Sequence, residues 1–324
     1  MKKVIGLGNA LVDIIVEMED DSLLEKFSLP KGSMQLVGGE LNRDIIEAAN
    51  KLKQSRASGG SAANTIHGLA KLGIETGFIG KIGDDEVGAF FKNDMLHNNI
   101  SPILITGENA TGVAAAMIST DAERTFATFL GAAIELSTED IDQEFFKEYD
   151  ILHIEGYLVQ NNALLEGALK LAKKMGLTVS LDLASYNVVE DNLAFLQKMV
   201  EKYVDIVFAN EEEARAFTLL NDPMEALEKI SNSCEIAVVK VGKNGSLVKK
   251  DGEVYTININ PVKSIDTTGA GDLYASGFLY GYIKDMSMTD CGFMGSLLSS
   301  KVIQVIGAKI SDDDWKSIHN EKLN

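Results

Sequence analysis

Two aspartates and two glycines fall within seven residues, Asp266-Thr-Thr-Gly-Ala-Gly-Asp272, and no other run in this sequence is as well equipped for chemistry. Gly269 and Gly271 leave backbone N–H groups unhindered at the point where a helix starting near Ala270 has its first donors unpaired. The helix dipole adds about half a positive charge there, so the turn suits a phosphoryl group. Asp272 then needs a reason, because a carboxylate beside a bound phosphate is repelled unless it takes a proton from the hydroxyl attacking that phosphate. A plain helix cap over a tight turn is the alternative, and seven specified residues in a row weigh against it.

This run resembles the C-terminal signature of the ribokinase, or PfkB, family of carbohydrate and nucleoside kinases. The resemblance implies that Asp272 is the catalytic base and that the amides of Gly269, Ala270 and Gly271 form an anion hole. It also places Asp266 and Thr268 near a monovalent-cation site, with K⁺ as the expected ion. Tyr274 stands where the family more often has Phe, a conservative departure.

Elements further up the chain must position these groups. Val4 to Leu7 reads as a buried strand, and Leu11 to Glu17 as a second strand carrying Asp13. Gly6-x-Gly8 is not a dinucleotide fingerprint, since Leu11 stands where the third glycine belongs. The segment from Ser22 to Ser58, with Pro30, Gly38 and Gly39 and a charged run from Leu41 to Lys53, reads as an excursion from the main pattern. Ser58-Gly-Gly-Ser-Ala-Ala-Asn64 then opens a helix that stops at Gly73. Thr76 to Ile82 is a strand, Gly83-Asp84 a turn and N-cap, and Glu86 to Leu96 a helix. Thr111 to Ile118 and Arg124 to Leu130, joined by Ser-Thr-Asp-Ala-Glu, predict a hairpin that with Asp13 and the excursion forms a small lid. On the resemblance, Asp13, Gly59, Gly60, Asn64 and Glu155 face the substrate. A carboxylate accepting from a diol and a carboxamide beside bare backbone suit a sugar.

From Ser137, which with Asp140 predicts a capped helix, the pattern becomes regular α/β. Ile151 to Ile154, Thr178 to Leu183, Ile206 to Ala209 and Ile236 to Val241 are short β-branched runs suited to a parallel sheet buried on both faces. Ligands bind beyond the carboxyl ends of such strands, where Glu155, Asp182, Asn210 and Glu213 lie. Asn210-Glu-Glu-Glu213 is similar to the family's Asn-x-x-Glu element, which implies that Asn210 and Glu213 order Mg²⁺ and phosphates through water. On spacing alone it is an N-capped acidic first turn. Lys240, Gly242 and Gly245 resemble the nucleotide-binding turn, and Ser299, in an apolar helix from Thr289 to Val305, would flank the adenine.

The predicted fold is α/β, a doubly wound, mostly parallel sheet with a small β lid. Residues 1–12, 59–105 and 131–324 make up the main body and 13–58 and 106–130 the lid. A net charge of −18 speaks against nucleic acid or an anionic membrane as partner. Two cysteines, Cys234 and Cys291, fit a reducing cytoplasm rather than a disulfide scaffold, and four scattered histidines offer no zinc spacing. The apolar N-terminus is interrupted by Asp13 and has no small-x-small cleavage site, so a cytoplasmic protein is expected. Its partners are then small molecules, with a homodimer through the lid compatible with the resemblance. The predicted activity is transfer of the γ-phosphoryl of ATP, with Mg²⁺, to a primary hydroxyl of a ribose- or fructose-like sugar. A nucleoside kinase of the same family and a non-catalytic sugar or nucleotide sensor are the alternatives, and Met117, Phe126 and Phe129 are the lid residues on which a base could lie.

Overall fold

A computed structural model describes residues 2–121, 123–259 and 261–321; Ala122, in the predicted lid turn, lies outside them. The β-branched runs assemble into a nine-stranded sheet. Its order is Glu253–Ile257, Ser246–Lys250, Ile236–Lys240, Ile206–Asn210, Thr178–Asp182, Ile151–Glu155, Val4–Leu7, Thr76–Ile82 and Ile100–Thr106. The first two strands run antiparallel to their neighbours and the rest are parallel. Both faces are apolar because successive side chains point to opposite sides. In Ile206–Asn210, Ile206 and Phe208 pack into the layer that holds helices Ser61–Lys71, Ala270–Ile283 and Met288–Val302. Val207 and Ala209 face the layer of Asn162–Lys174, Leu193–Tyr203, Glu211–Thr218 and Pro223–Ile230.

The strand order reverses beside Val4–Leu7. The chain winds outward through Thr76–Ile82 and Ile100–Thr106, then crosses to the other side through Ile151–Glu155. A crevice opens at the carboxyl ends of strands where such a reversal occurs.

A second sheet of five strands, Met34–Leu36, Arg124–Phe129, Gly112–Ile118, Leu11–Glu17 and Lys53–Gly59, lies beside it. Val12, Ile14 and Val16 are buried in one core with Leu23, Leu24, Ile45 and Ala49. Alternation therefore sends Asp13 and Ile15 to the other face, where a Cβ on Gly307 would meet Ile15. Asn42, on helix Gly39–Ala48, is buried and donates to the carbonyls of Val113 (3.2 Å) and Ala127 (2.9 Å), pinning the helix to the sheet.

Several local expectations need correction. The helix predicted from Ser137 is only a 3₁₀ turn, Thr138–Asp140, although its capping box is formed; a second 3₁₀ turn, Gln143–Phe146, capped by Asp142, follows instead. Asp85, not Asp84, caps Glu86–His97, because its carboxylate accepts from the Gly88 amide at 2.7 Å. The run Leu41 to Lys53 divides into the end of a helix and the start of strand Lys53–Gly59. The late apolar helix ends at Val302, and Ile100–Thr106 and Asp312–Glu321 are elements that the pattern did not signal. Tyr274 keeps its hydroxyl satisfied in the core by a 2.6 Å hydrogen bond with the buried Ser246 hydroxyl.

Candidate active site

Helix Ala270–Ile283 begins after Gly269, whose φ of 74° puts it in the left-handed region that glycine adopts freely. The Ala270 amide turns back to the Thr267 carbonyl at 3.2 Å, so it helps close the turn, while the amides of Gly271 and Asp272 belong to the unpaired first helical turn. Asp272 is partly buried. Ser61 donates its hydroxyl to Oδ1 at 2.7 Å and Asn64 donates Nδ2 to Oδ2 at 3.0 Å. Thr65 and Ser276 hold its backbone carbonyl, at 3.1 and 3.0 Å, and Ser276 also reaches the Thr65 carbonyl at 2.8 Å. Helices Ser61–Lys71 and Ala270–Ile283 are thus locked together, with the carboxylate at their junction. Burial raises the pKa of Asp272 to about 6, against the two hydrogen bonds that favour its charge; Asp182 raises it further and Lys240 opposes.

On one side of Asp272 lies the substrate-facing group predicted from the sequence. Asp13 lies directly on the backbone of Gly59, so a methyl group there would overlap its carboxylate. Burial raises the pKa of Asp13, opposed by Lys309. Gly60, at φ 97°, precedes the helix, and a Cβ on it would collide with the Asn9 carbonyl. Gly59→Ala is accordingly expected to displace Asp13, raising the KM of the phosphoryl acceptor about tenfold while the KM of ATP changes by less than about twofold. Equal changes in both constants would remove Asp13 from the acceptor side.

Glu155 lies at the first strand and the glycine-rich helix start. It is 1% exposed, at the strand-order reversal, and accepts from the Asn9 amide (3.0 Å), Asn9 Nδ2 (2.6 Å) and the Ala62 amide (2.8 Å). It clamps the loop after the first strand to the start of the glycine-rich helix. Burial pushes it to about 7, against those donors.

The other side of Asp272 carries Lys240 among two further carboxylates. Lys240 ends strand Ile236–Lys240, and its Nζ donates to Asp182 Oδ2 at 3.0 Å. A Cβ on Gly271 would stand 2.9 Å from that Nζ, so the ammonium group lies against the first turn of the anion-hole helix rather than on the nucleotide turn. Attraction to Asp182 and Glu213 raises its pKa over the opposing effect of burial. Asn210 and Glu213 form a complete capping box. Asn210 Oδ1 accepts from the Glu213 amide at 2.8 Å, and Glu213 accepts from the Asn210 amide at 2.8 Å and from Nδ2 at 2.7 Å. Burial raises Glu213, opposed by Lys240. Gly242 and Gly245 have φ of 52° and 90° around a 3₁₀ turn, and a Cβ on Gly245 would strike the Ile257 carbonyl. Ser299 lies half-buried on Met288–Val302, in the next layer.

Asp266 is buried, accepting from the amides of Thr268 (2.6 Å) and Gly307 (2.8 Å) and paired with Arg124 of the small sheet. Arg124 also donates to the Thr267 hydroxyl at 3.3 Å. A cleft of about 330 Å³ opens there, lined by Gly32, Ser33, Met34, Arg124, Phe126 and Thr267 among others. Phe126 faces this cleft, whereas Met117 is turned fully into the core.

Three residues that reach this machinery were not singled out in the sequence. Ser61 was legible, since it falls inside the glycine-rich run. Arg124 was the one cation in the predicted hairpin, and Lys309 carried no signal.

The fold is that of a ribokinase-like kinase, a large, mostly parallel sheet with a small second sheet beside it. The chain belongs to the pfkB family of carbohydrate kinases, whose profile matches residues 35–315. It is 33% identical over 285 residues to a 5-dehydro-2-deoxygluconokinase of Clostridium perfringens, covering 82% of each chain. An uncharacterized sugar kinase of Archaeoglobus fulgidus is 30% identical over 248 residues, 75% of this chain and 96% of that one. Among solved structures, a probable sugar kinase protein from Rhizobium etli superposes with a TM-score of 0.88 at 32% identity, covering 100% of this chain and 99% of its own. Adenosine kinase from Sinorhizobium meliloti gives 0.87 at 31%, covering 99% of each.

Proposed function

We propose that this kinase transfers the γ-phosphoryl group of ATP to a primary hydroxyl of a sugar, with Asp272 as the base. The observation that carries the reading is the position of Asp272. It is fixed from one helix by Ser61 and Asn64, at the start of another whose first amides and Lys240 offer positive potential. A sensor gains nothing from a carboxylate aimed at bound phosphate. The attacking hydroxyl would lie between Asp13 and Asp272 and give its proton to Asp272 as its O–P bond forms and the bond from the γ-phosphorus to the bridging oxygen breaks, ADP leaving, with the transferring group against the Gly271 amide and Lys240.

Among the described residues no cluster of three His, Cys, Asp or Glu is placed to hold a metal ion. Buried Asp182 and Glu213 with Lys240 as their nearby cation still leave surplus negative charge, which fits a divalent ion bound through water. Mg²⁺ there would neutralise phosphate charge, with Asn210 and Glu213 holding its waters. Asp266 and Thr268 would hold K⁺ behind the glycine turn. Arg124 already faces Asp266, so K⁺ is expected to stimulate rather than to be indispensable, raising kcat severalfold between zero and ~100 mM, a range in which surface charges are already screened. A flat response would remove the cation site.

The reaction should also fail in acid. Asp272 must be ionised to accept a proton, and with its pKa raised to about 6, kcat/KM should fall about tenfold per unit as pH drops below it. An acid limb near 4 would mean that burial does not raise the base in the working enzyme.

The acceptor is read as a sugar because Asp13 and Asn64 match hydroxyls and the first relatives are named as sugar kinases. A nucleoside reading is favoured by Phe126 in the cleft and by the adenosine kinase neighbour. The test is kcat/KM for ribose, fructose, 5-dehydro-2-deoxygluconate and adenosine side by side. One of the sugars should lead, and a preference for adenosine of ~10²-fold, roughly 3 kcal/mol, would overturn the sugar reading. The cytoplasm is the proposed location, with Cys234 and Cys291 both unpaired as thiols. No helix among the described residues is long and apolar enough to cross a membrane. A homodimer would form through the small sheet, whose edge strand Met34–Leu36 leaves Met34 and Leu36 exposed; sedimentation equilibrium decides it.

A further inference from the structure

Lys309 lies in the connection between helices Met288–Val302 and Asp312–Glu321, outside every motif, yet its side chain enters the substrate side of the site. Its Nζ donates to Asn64 Oδ1 at 3.2 Å, and Asn64 in turn donates Nδ2 to Asp272 Oδ2 at 3.0 Å. An ammonium group has no acceptor, so the amide cannot present its nitrogen to Lys309. The two contacts select the same rotation of Asn64, with its oxygen on Lys309 and its nitrogen on Asp272, and Lys309 holds that oxygen away from the carboxylate.

We infer that Lys309 is a positioning residue for the catalytic base, orienting Asn64 onto Asp272 and supplying the positive charge that keeps Asp272 ionised. The inference rests on Asp272 being the base. Lys309 faces Asp13 from strand Leu11–Glu17, Asp94 from helix Glu86–His97 and Asp272 from helix Ala270–Ile283; Lys71 and the buried His67 come from helix Ser61–Lys71. Asp94 is itself held by the Ser58 hydroxyl and by Asn98 Nδ2 at 3.2 Å. Asp272 additionally feels Lys240, Asp182, Glu155, Glu213 and Tyr157, and Asp13 feels Asp266. Carboxylates outnumber cations around the base, so each cation matters. Lys240 serves the phosphate side, and Lys309 is its counterpart on the acceptor side. Burial lowers the pKa of Lys309 to about 8 although the surrounding carboxylates oppose that shift, so the side chain is still charged at neutral pH.

The test is the pH profile of kcat/KM, with separate kcat and KM, for the parent and for Lys309→Met, Lys309→Gln and Lys309→Arg. Loss of the cation makes Asp272 easier to protonate, so the acid limb should move to higher pH. In Lys309→Met it should rise by about one unit, with kcat down about tenfold at pH values well below the limb and the KM of ATP within about twofold. Lys309→Arg should return the limb to its parental position. Lys309→Gln, which keeps a donor for Asn64 but no charge, should show a smaller upward shift, and it carries the test if the Met variant does not fold. A limb at the parental pH in whichever uncharged variant folds overturns the inference, whatever happens to thermal stability. A parent that turns over ATP with no acceptor fails the kinase reading instead.

Discussion

Replacing Asp272 with Asn is expected to lower kcat by at least ~10²-fold, the lower end for loss of a general base, while leaving ATP binding largely intact. The substitution is isosteric, and Ser61 and Asn64 can still meet the side chain, so the locked junction between the two helices should survive. A drop in kcat without a fall in the thermal midpoint therefore isolates proton transfer from folding. Turnover within about threefold of the parent would take Asp272 out of the base role.

Lys240→Met is expected to be comparably damaging, ~10²–10³-fold in kcat, the range for removing one donor from a site of developing oxyanion charge. The ammonium group lies against the first turn of helix Ala270–Ile283, so on the proposed mechanism its attraction grows as charge builds on the transferring phosphoryl group. The KM of the sugar should change little. Removing a buried cation also strands Asp182, so the single variant should lose stability. The double variant Lys240→Met with Asp182→Asn relieves that charge and should regain thermal stability but not kcat. Recovery of kcat in the double variant would show that Lys240 serves only to neutralise Asp182.

Periodicity made much of this architecture legible. The parallel strands are short β-branched runs, and the glycines at 59, 60, 269 and 271 stand where backbone must turn or approach another group closely. The core of the site, Asp272 with Asn64 and Asp13, could be collected because each lies in a run with its own local signature. What stayed hidden was contact across long separation. Ser61 and Asp272 are 211 positions apart, and Lys309 and Asn64 are 245 apart; only the packing of two helices and the connection that carries Lys309 brings them together. Local signals also misled where a competing geometry won. The capping box at Ser137 was real, but a new turn capped by Asp142 replaced the helix it announced. The three donors that hold Glu155 come from Asn9 and Ala62, far from it in the chain, and no local pattern announced them. The contact of Lys240 with the first turn of helix Ala270–Ile283 likewise had no local signal.

The most direct measurement uses the preferred sugar labelled with ¹⁸O at its primary hydroxyl, incubated with ATP and Mg²⁺, with the products read by ³¹P NMR. Direct transfer predicts a sugar phosphomonoester whose bridging oxygen carries the label, formed in step with ADP and abolished in the Asp272→Asn variant. ADP accompanied only by unlabelled inorganic phosphate, or an ester formed at an undiminished rate without Asp272, would contradict it.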